Sequence, residues 1–504
     1  MRRVFGSIFD KRRVIYTIAP FLILAVWFGL KLLQFQSPNQ SFADAHITLQ
    51  LSKGWMEGRP FLYDTYYGHH DQIHNYFFIA FLGPITWFTG IYGLFGIYIL
   101  LMAGLFVSVR RTIRRWRDRY AIGLSVLLLG LGPFSYFVFI DVFGWHPEQY
   151  FLPLMGFLAL ALVKKKWTLA IFLLLLVSTI KESAPILWCG LLLFASITDS
   201  ILRQPTASVR THLLSKTNWL IVTAALLLFL AGLVWLSAKS DGPSRLTTAL
   251  RVPLRAPIVE LLTYCLKFAV PLILLLVTLG LPLFAILKKL KGGRILASYL
   301  IFYLCVLGAA FWVEGLIYFP DFDATLVYPT RAGSLLAFFF SCYLYLLVRT
   351  ASFREPVSVT PSLWSVIFQI TFSSVLVFHS WTLIDARKDL GKLLHHALSG
   401  FQGDPYQDED RVMLKKLAKN LPRGSEVVAP ERYLSLFQKY YGARPERQQW
   451  LLGQPILIVC ERNETSVLSP SCEFSTNTYQ LYKGKQNNIW INRLWESQLT
   501  KSLE

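Results

Sequence analysis

Residues 141–150 read Asp141-Val-Phe-Gly-Trp-His146-Pro147-Glu148-Gln-Tyr150, and about thirty residues later comes Ser178-Thr-Ile-Lys181-Glu182-Ser183. Long apolar runs flank the two stretches and separate them. Ionisable groups in such surroundings are costly in a bilayer and mark function by default. The runs decide the fold class. They come in blocks of roughly 18–20 residues, the length a helix needs to cross the hydrocarbon layer. The 504 residues are 54% hydrophobic and 16% charged, with a mean hydropathy of +0.45. A soluble chain carries about a quarter charged residues. The sequence therefore predicts a polytopic membrane protein.

Working outward from the charged stretches, eleven spans fit: about 14–34, 92–109, 120–138, 149–163, 167–181, 184–200, 218–237, 264–287, 295–313, 333–349 and 363–381. With the N-terminus inside, the six cytoplasmic segments hold 23 Lys and Arg, against 7 in the five opposite loops. That bias orients the chain N-in and C-out. It also explains the net charge of +20 without nucleic acid, because much of the excess sits in short loops between apolar blocks. The start resembles a signal peptide, with Ala43-Asp44-Ala45 as a cleavage site. Its apolar run is too long for that, however, and it reads as an uncleaved first helix.

Residues 74–89, interrupted by Pro84, read as a juxtamembrane helix lying along the outer surface; a twelfth span here would invert the charge bias. After Trp381 the composition turns polar. Helical stretches at about 384–398 and 408–420 precede a strand at Glu426–Ala429 and a helix over 431–441. A strand at Ile456–Cys460 and a closing strand pair near 478–482 and 488–492 complete a small α/β pattern. The predicted organisation is thus an all-α polytopic membrane domain over 1–382, with a long first outer loop at 35–91. A small outer α/β domain follows over 383–504. Cys460 and Cys472 are the only cysteine pair in that outer domain, and an oxidising compartment would allow them to bond.

Chemistry-bearing residues gather on the predicted outer side. Asp44 follows the first span closely, so a carboxylate stays near the membrane surface, where it could act as a general base toward a hydroxyl. A helix N-cap is the bland alternative. The run Gly68-His69-His70-Asp71-Gln72-Ile73-His74 offers imidazoles and a carboxylate. On a helix His70 and His74 would share a face, which makes His70, Asp71 and His74 weak metal candidates. A divalent metal is allowed but not required. His146-Pro147-Glu148 suits the first turn of a helix, where proline is tolerated and an acid complements the dipole. That account leaves Asp141 and His146 unexplained. Lys181 and Glu182 read as an interfacial ion pair, or Lys181 as a phosphate ligand, with Arg331 a second such ligand.

The order of these elements resembles a family of prokaryotic multi-pass membrane proteins of unassigned function. Its hallmarks are an F-D-x-G-type acid, an H-F-S-P-type histidine, then H-P-E and K-E-D. Here they read Phe42-Ala-Asp44, His74 with Pro84 ten residues on, His146-Pro147-Glu148 and Lys181-Glu182-Ser183. The chain departs from the pattern by the extra residue before Asp44 and by Ser183 in place of an acid. The layout is in turn similar to polytopic glycosyltransferases of the GT-C fold. What the resemblance implies is inverting transfer of a sugar from a polyprenyl-phosphate carrier to an acceptor glycan, lipid or protein. The transfer would take place at the outer face of the cytoplasmic membrane. Asp44 would be the base and Lys181 and Arg331 the phosphate ligands. His74, Asp141, His146, Glu148 and Glu182 would bind substrate or orient Lys181, and Asp44, His74, His146, Glu148 and Lys181 would line one cavity open to both lipid and the outside. Two other classes compete: a transporter or flippase for a lipid-linked or small anionic substrate, and a non-catalytic sensor or assembly protein.

Overall fold

The computed structural model describes residues 43–112, 145–203, 215–239, 409–437, 440–443, 451–461, 478–483 and 487–492. It also describes parts of 18–32 and 337–349 and isolated positions elsewhere. The described residues are mostly helical, with one small mixed sheet. Four of the expected spans (120–138, 264–287, 295–313 and 363–381) lie outside the described residues, as does the helix expected at 384–398. The chain divides into two compact units. One comprises Met1–Trp27, Tyr98–Val138 and Glu148–Leu390; the other comprises Phe28–Ile97, Phe139–Pro147 and Gly391–Glu504.

The first unit is built from apolar helices. Among the described residues two helices are long and apolar enough to cross a membrane, Ile91–Thr112 and Lys216–Lys239. Shorter apolar helices run Pro147–Val163, Trp167–Ser178 and Ala184–Ser200. The segments expected at 149–163 and 167–181 form a tight hairpin. Its turn is closed by Lys165 at a left-handed φ of 54°, with Lys166 N–H donating to Ala161 O at 2.9 Å and Lys165 N–H to Leu162 O at 3.0 Å. This is the paired-bond ending that satisfies the last carbonyls of a helix. Burial of Lys164, then the charges of Lys166 and Arg111, push the Lys164 amine below its usual range. Basic residues from two helix ends therefore lie near one another. Elsewhere in this unit Arg349 Nε lies 2.8 Å from Asp199 Oδ1, which also accepts from the Tyr345 hydroxyl at 2.9 Å.

The second unit centres on a five-stranded sheet and the first-loop segment. We label as α1 the helix Ala43–Lys53, where the sequence suggested only a loop. Ala45, Ile47, Leu49 and Leu51 are buried, but so are His46, Thr48, Gln50 and Ser52. A helix enclosed on all sides shows no apolar stripe, which is why periodicity does not reveal it. After it come a 3-10 turn Gly54–Glu57, short strands β1 (Tyr63–Asp64) and β2 (Gly68–His69), and helices α2 (Phe77–Phe81) and α3 (Gly83–Thr89). Pro84 sits in the first turn of α3, so the expected juxtamembrane helix is two short helices meeting at Leu82.

The sheet runs β4-β3-β5-β7-β6, with β3 Glu426–Val428, β4 Tyr441–Ala443, β5 Leu457–Glu461, β6 Thr478–Lys483 and β7 Asn487–Asn492. β3 pairs parallel with β4 and β5, and β7 pairs antiparallel with β5 and β6. The expected helix over 431–441 is shorter, Glu431–Leu434 plus a 3-10 turn Ser435–Phe437. Tyr441 already belongs to the edge strand. Cys460 is disulfide-bonded; Cys472, the partner suggested by the sequence, lies outside the described residues.

Candidate active site

α1 carries Asp44 in its first turn, with the side chain about a quarter exposed. Asp44 Oδ2 lies 3.0 Å from His146 Nε2, a close approach rather than an aligned hydrogen bond. The two residues are 102 positions apart, and the packing around Trp145 explains how they meet. Thr48, one turn beyond Asp44 on the same helical face, donates to the Trp145 carbonyl at 3.3 Å. The Trp145 ring is fully buried and packs edge-on against Phe95 at 5.2 Å. A residue anchored through both backbone and ring leaves its neighbour His146 little freedom. Among the described residues no contact engages Asp44 Oδ1, and the side chain is about a quarter exposed.

Two residues further along α1, burial holds the His46 imidazole down to about 4, with the Lys53 ammonium adding to the effect. Lys53 is itself pushed below its ordinary range by burial, against the pull of Glu57 at 3.6 Å. Glu57 Oε2 accepts the Tyr441 hydroxyl at 2.5 Å, and burial, then this carboxylate, raises the Tyr441 phenol. Arg59 stacks 3.4 Å over the Tyr441 ring and reaches Glu426 Oε1 at 2.7 Å. Glu426 also accepts the Leu452 and Gly453 amides at 2.9 and 2.7 Å. On the other side of α1, Gln50 Nε2 and the Thr65 hydroxyl both donate to Gly442 O, at 3.2 and 2.6 Å. The C-terminal half of α1 and the turn after it are thus fastened to the C-terminal sheet.

The histidine run is organised differently from expectation. His70 and His74 were to share a helical face, but His70–Gln72 is a single 3-10 turn followed by non-helical residues. The i, i+4 approach is made without a helix: His74 N–H donates to His70 O at 2.9 Å, and the two rings lie 6.0 Å apart, centroid to centroid. Among the described residues no group of three His, Cys, Asp or Glu is arranged to hold a metal ion. His70 Nδ1 instead lies 2.8 Å from Asp64 Oδ2, while Asp64 Oδ1 accepts the amides of Tyr66 and Tyr67 at 2.8 and 2.9 Å. Asp71 is buried, with the His69 Nδ1 atom 3.9 Å from its Oδ1. His74 packs on Tyr76 with ring centroids 4.8 Å apart. The pairing of Asp64 with His70 was not anticipated from the sequence. The one local signal for the pairing is Gly68, whose φ of 73° lets β2 fold back on β1.

In the helical unit, Lys181 Nζ lies 3.1 Å from Glu148 Oε1, with side chains 7% and 2% exposed. The short hairpin returns position 181 to the end of the helix pair where 148 begins. Lys181 therefore pairs with Glu148, where the sequence had suggested its neighbour Glu182. Glu182 is buried. Asp141 and Arg331 lie outside the described residues. No protein-family model matches the chain, and no curated protein matches it. What the site can do must be argued from its own geometry.

That geometry offers one carboxylate that is both held and accessible. Asp64 is fully buried and saturated by three donors. Glu148 is buried against Lys181. Of the three, Asp44 is the most exposed, and it lies beside the His146 imidazole.

Proposed function

We propose that the chain is a polytopic membrane glycosyltransferase of the outer face of the cytoplasmic membrane, with Asp44 as its general base. The donor is a polyprenyl-phosphate-linked sugar and the acceptor carries a hydroxyl. The observation that carries this reading is the 3.0 Å contact between His146 and Asp44, a carboxylate about a quarter exposed. In the reaction the acceptor oxygen bonds to the anomeric carbon as the bond from that carbon to the phosphate oxygen breaks. Asp44 takes the hydroxyl proton and the lipid phosphate leaves as an anion, so the anomeric configuration inverts. A carboxylate positioned within hydrogen-bond reach of that proton is what such a step needs. His146 orients the carboxylate.

The leaving phosphate needs a cation to meet its developing charge. The sequence suggests Lys181 and Arg331 for this. Lys181 already has the Glu148 carboxylate beside it, so that pair is electrically balanced before any phosphate arrives, and Arg331 carries the larger share of the assignment.

The eleven-span, N-in topology belongs to the same proposal. Two observations in the helical unit support its parity. Lys164, Lys166 and Arg111, from two loops that the charge bias puts inside, influence one another. Asp199 and Arg349, at two helix ends likewise put inside, form an ion pair at 2.8 Å.

The test is release of polyprenyl phosphate, a product common to every such donor whatever its sugar. Purified full-length protein in lipid nanodiscs would be given a panel of polyprenyl-phosphate-linked sugars with an extract of envelope acceptors. Turnover of at least one donor to free polyprenyl phosphate is expected. A protein that moves the intact donors between leaflets of a liposome without releasing phosphate is a flippase, and the proposal fails.

A further inference from the structure

The surface of the sheet-containing unit carries an apolar face that the site does not use. Along α2 and α3, Phe78, Ile79, Leu82 and Thr86 face inward, and Thr86 shares a 2.8 Å hydrogen bond with Ser52 of α1. The outward positions are Phe81, Ile85 and Phe88, spaced i, i+4, i+7, and Phe88 is 78% exposed. This inverts the usual pattern of a surface helix, whose outward face is polar. Trp55 and Met56, in the turn after α1, are also exposed. They adjoin the same face, since Trp55 Nε1 donates to Ala80 O at 3.0 Å. A Cβ added at Gly83 would lie 2.8 Å from Trp55 Nε1 and 3.3 Å from Met56 Sδ. Phe61, also exposed, reaches the patch through Phe77, stacked at 5.9 Å.

We infer that Trp55, Met56, Phe61, Phe81, Ile85 and Phe88 form one platform that rests in the interfacial layer of the lipid bilayer. Two observations choose lipid as the occupant. The patch runs directly into the 22-residue apolar helix Ile91–Thr112, which begins three residues after Phe88. No charged residue lies between His74 and Arg110, so nothing along this stretch resists burial in lipid. Aromatic side chains are favoured at that depth, and an element lying in the interface buries one apolar face. Arg423, half exposed, stacks 3.8 Å over Trp87 and so stands at the rim, where lipid phosphates would be met. The expected surface helix at 74–89 supplies only part of this face; the turn after α1 and the loop at Phe61 complete it. The platform holds the unit that carries Asp44 flat against the membrane. It does not depend on glycosyl transfer, only on Ile91–Thr112 entering the bilayer.

The test uses full-length protein in liposomes containing a phospholipid with a diazirine near the headgroup end of its acyl chain. After irradiation and digestion, lipid adducts are mapped by mass spectrometry. Adducts are expected on the peptides spanning Trp55–Phe61 and Phe81–Phe88, and on Ile91–Thr112. The exposed residues Val412 and Leu452 should stay unlabelled. A Phe81→Ser/Phe88→Ser double variant should lower labelling of the Trp55 peptide several-fold while leaving Ile91–Thr112 unchanged. Labelled Ile91–Thr112 with unlabelled platform peptides would overturn the inference and leave the membrane reading standing. An unlabelled Ile91–Thr112 would overturn both.

Discussion

Acidification should loosen the helix that carries Asp44, and His46 sets the window. In the folded chain burial holds this imidazole down to about 4, against an ordinary value of 6.5. The unfolded segment therefore binds the proton first as pH falls. Stability from this residue is complete above about pH 6.5, declines between 6.5 and 4, and levels off below 4. A shift of two and a half units corresponds to about 3 kcal/mol, or roughly 300-fold in the opening equilibrium. The helix is enclosed by its neighbours, so opening exposes Ala45, Ile47, Leu49 and Leu51 together with the imidazole. Hydrogen exchange of the α1 amides, compared between the native chain and His46→Gln at each pH, isolates the effect because intrinsic exchange rates cancel. The ratio of native to variant opening should rise by about two orders of magnitude from pH 7 to pH 4. A ratio that stays flat across that range would refute the burial argument.

Three further outcomes follow from the packing. Lys181→Met leaves the Glu148 carboxylate buried without its cation and should cost about 3–5 kcal/mol. Adding Glu148→Gln should recover most of that loss, and thermal unfolding of the two variants in detergent checks it. Gly83→Ala would place a Cβ 2.5 Å from the Ser52 carbonyl, a backbone atom that cannot swing aside. A loss of about 1–3 kcal/mol is expected from the forced shift of α3 against α1, and an unchanged unfolding midpoint would show the helices are not so closely packed. Reducing the disulfide at Cys460 should lower the stability of the sheet by about 2–5 kcal/mol. Limited proteolysis with and without a reductant reads this out, with faster cleavage within 409–492 expected under reduction.

What could be read from the chain alone was local in origin. The strand at Glu426–Val428, the helix at Glu409–Asn420 and the pairing of β6 with β7 all carry their own periodicity or turn signals. The edge strand Tyr441–Ala443 does not. Three residues long, it is defined by parallel pairing with β3, and the sequence had folded Tyr441 into the preceding helix. α1 escaped for the opposite reason, since residues 45–52 alternate strictly between apolar and polar, the period of a strand, while all of them are buried in a helix. At the candidate site the residue types were legible but not their partners. Asp44 stood out as an acid close to a span, and His146 as half of a charged motif. Their meeting depends on Thr48 reaching the Trp145 carbonyl and on the packing of Trp145 against Phe95. In the histidine run the approach of His70 to His74 was legible, with rings 6.0 Å apart, but not that the segment is a 3-10 turn or that Asp64 pairs with His70.

The central claim is that Asp44 removes the acceptor proton. The direct measurement is the rate of polyprenyl phosphate release by Asp44→Asn, under saturating donor and acceptor, beside its affinity for the donor alone. The substitution keeps the size of the side chain and removes the base. A fall of about 10²–10⁴-fold in turnover is predicted, with donor affinity retained and the exchange protection of α1 unchanged. Full turnover by Asp44→Asn would contradict the account.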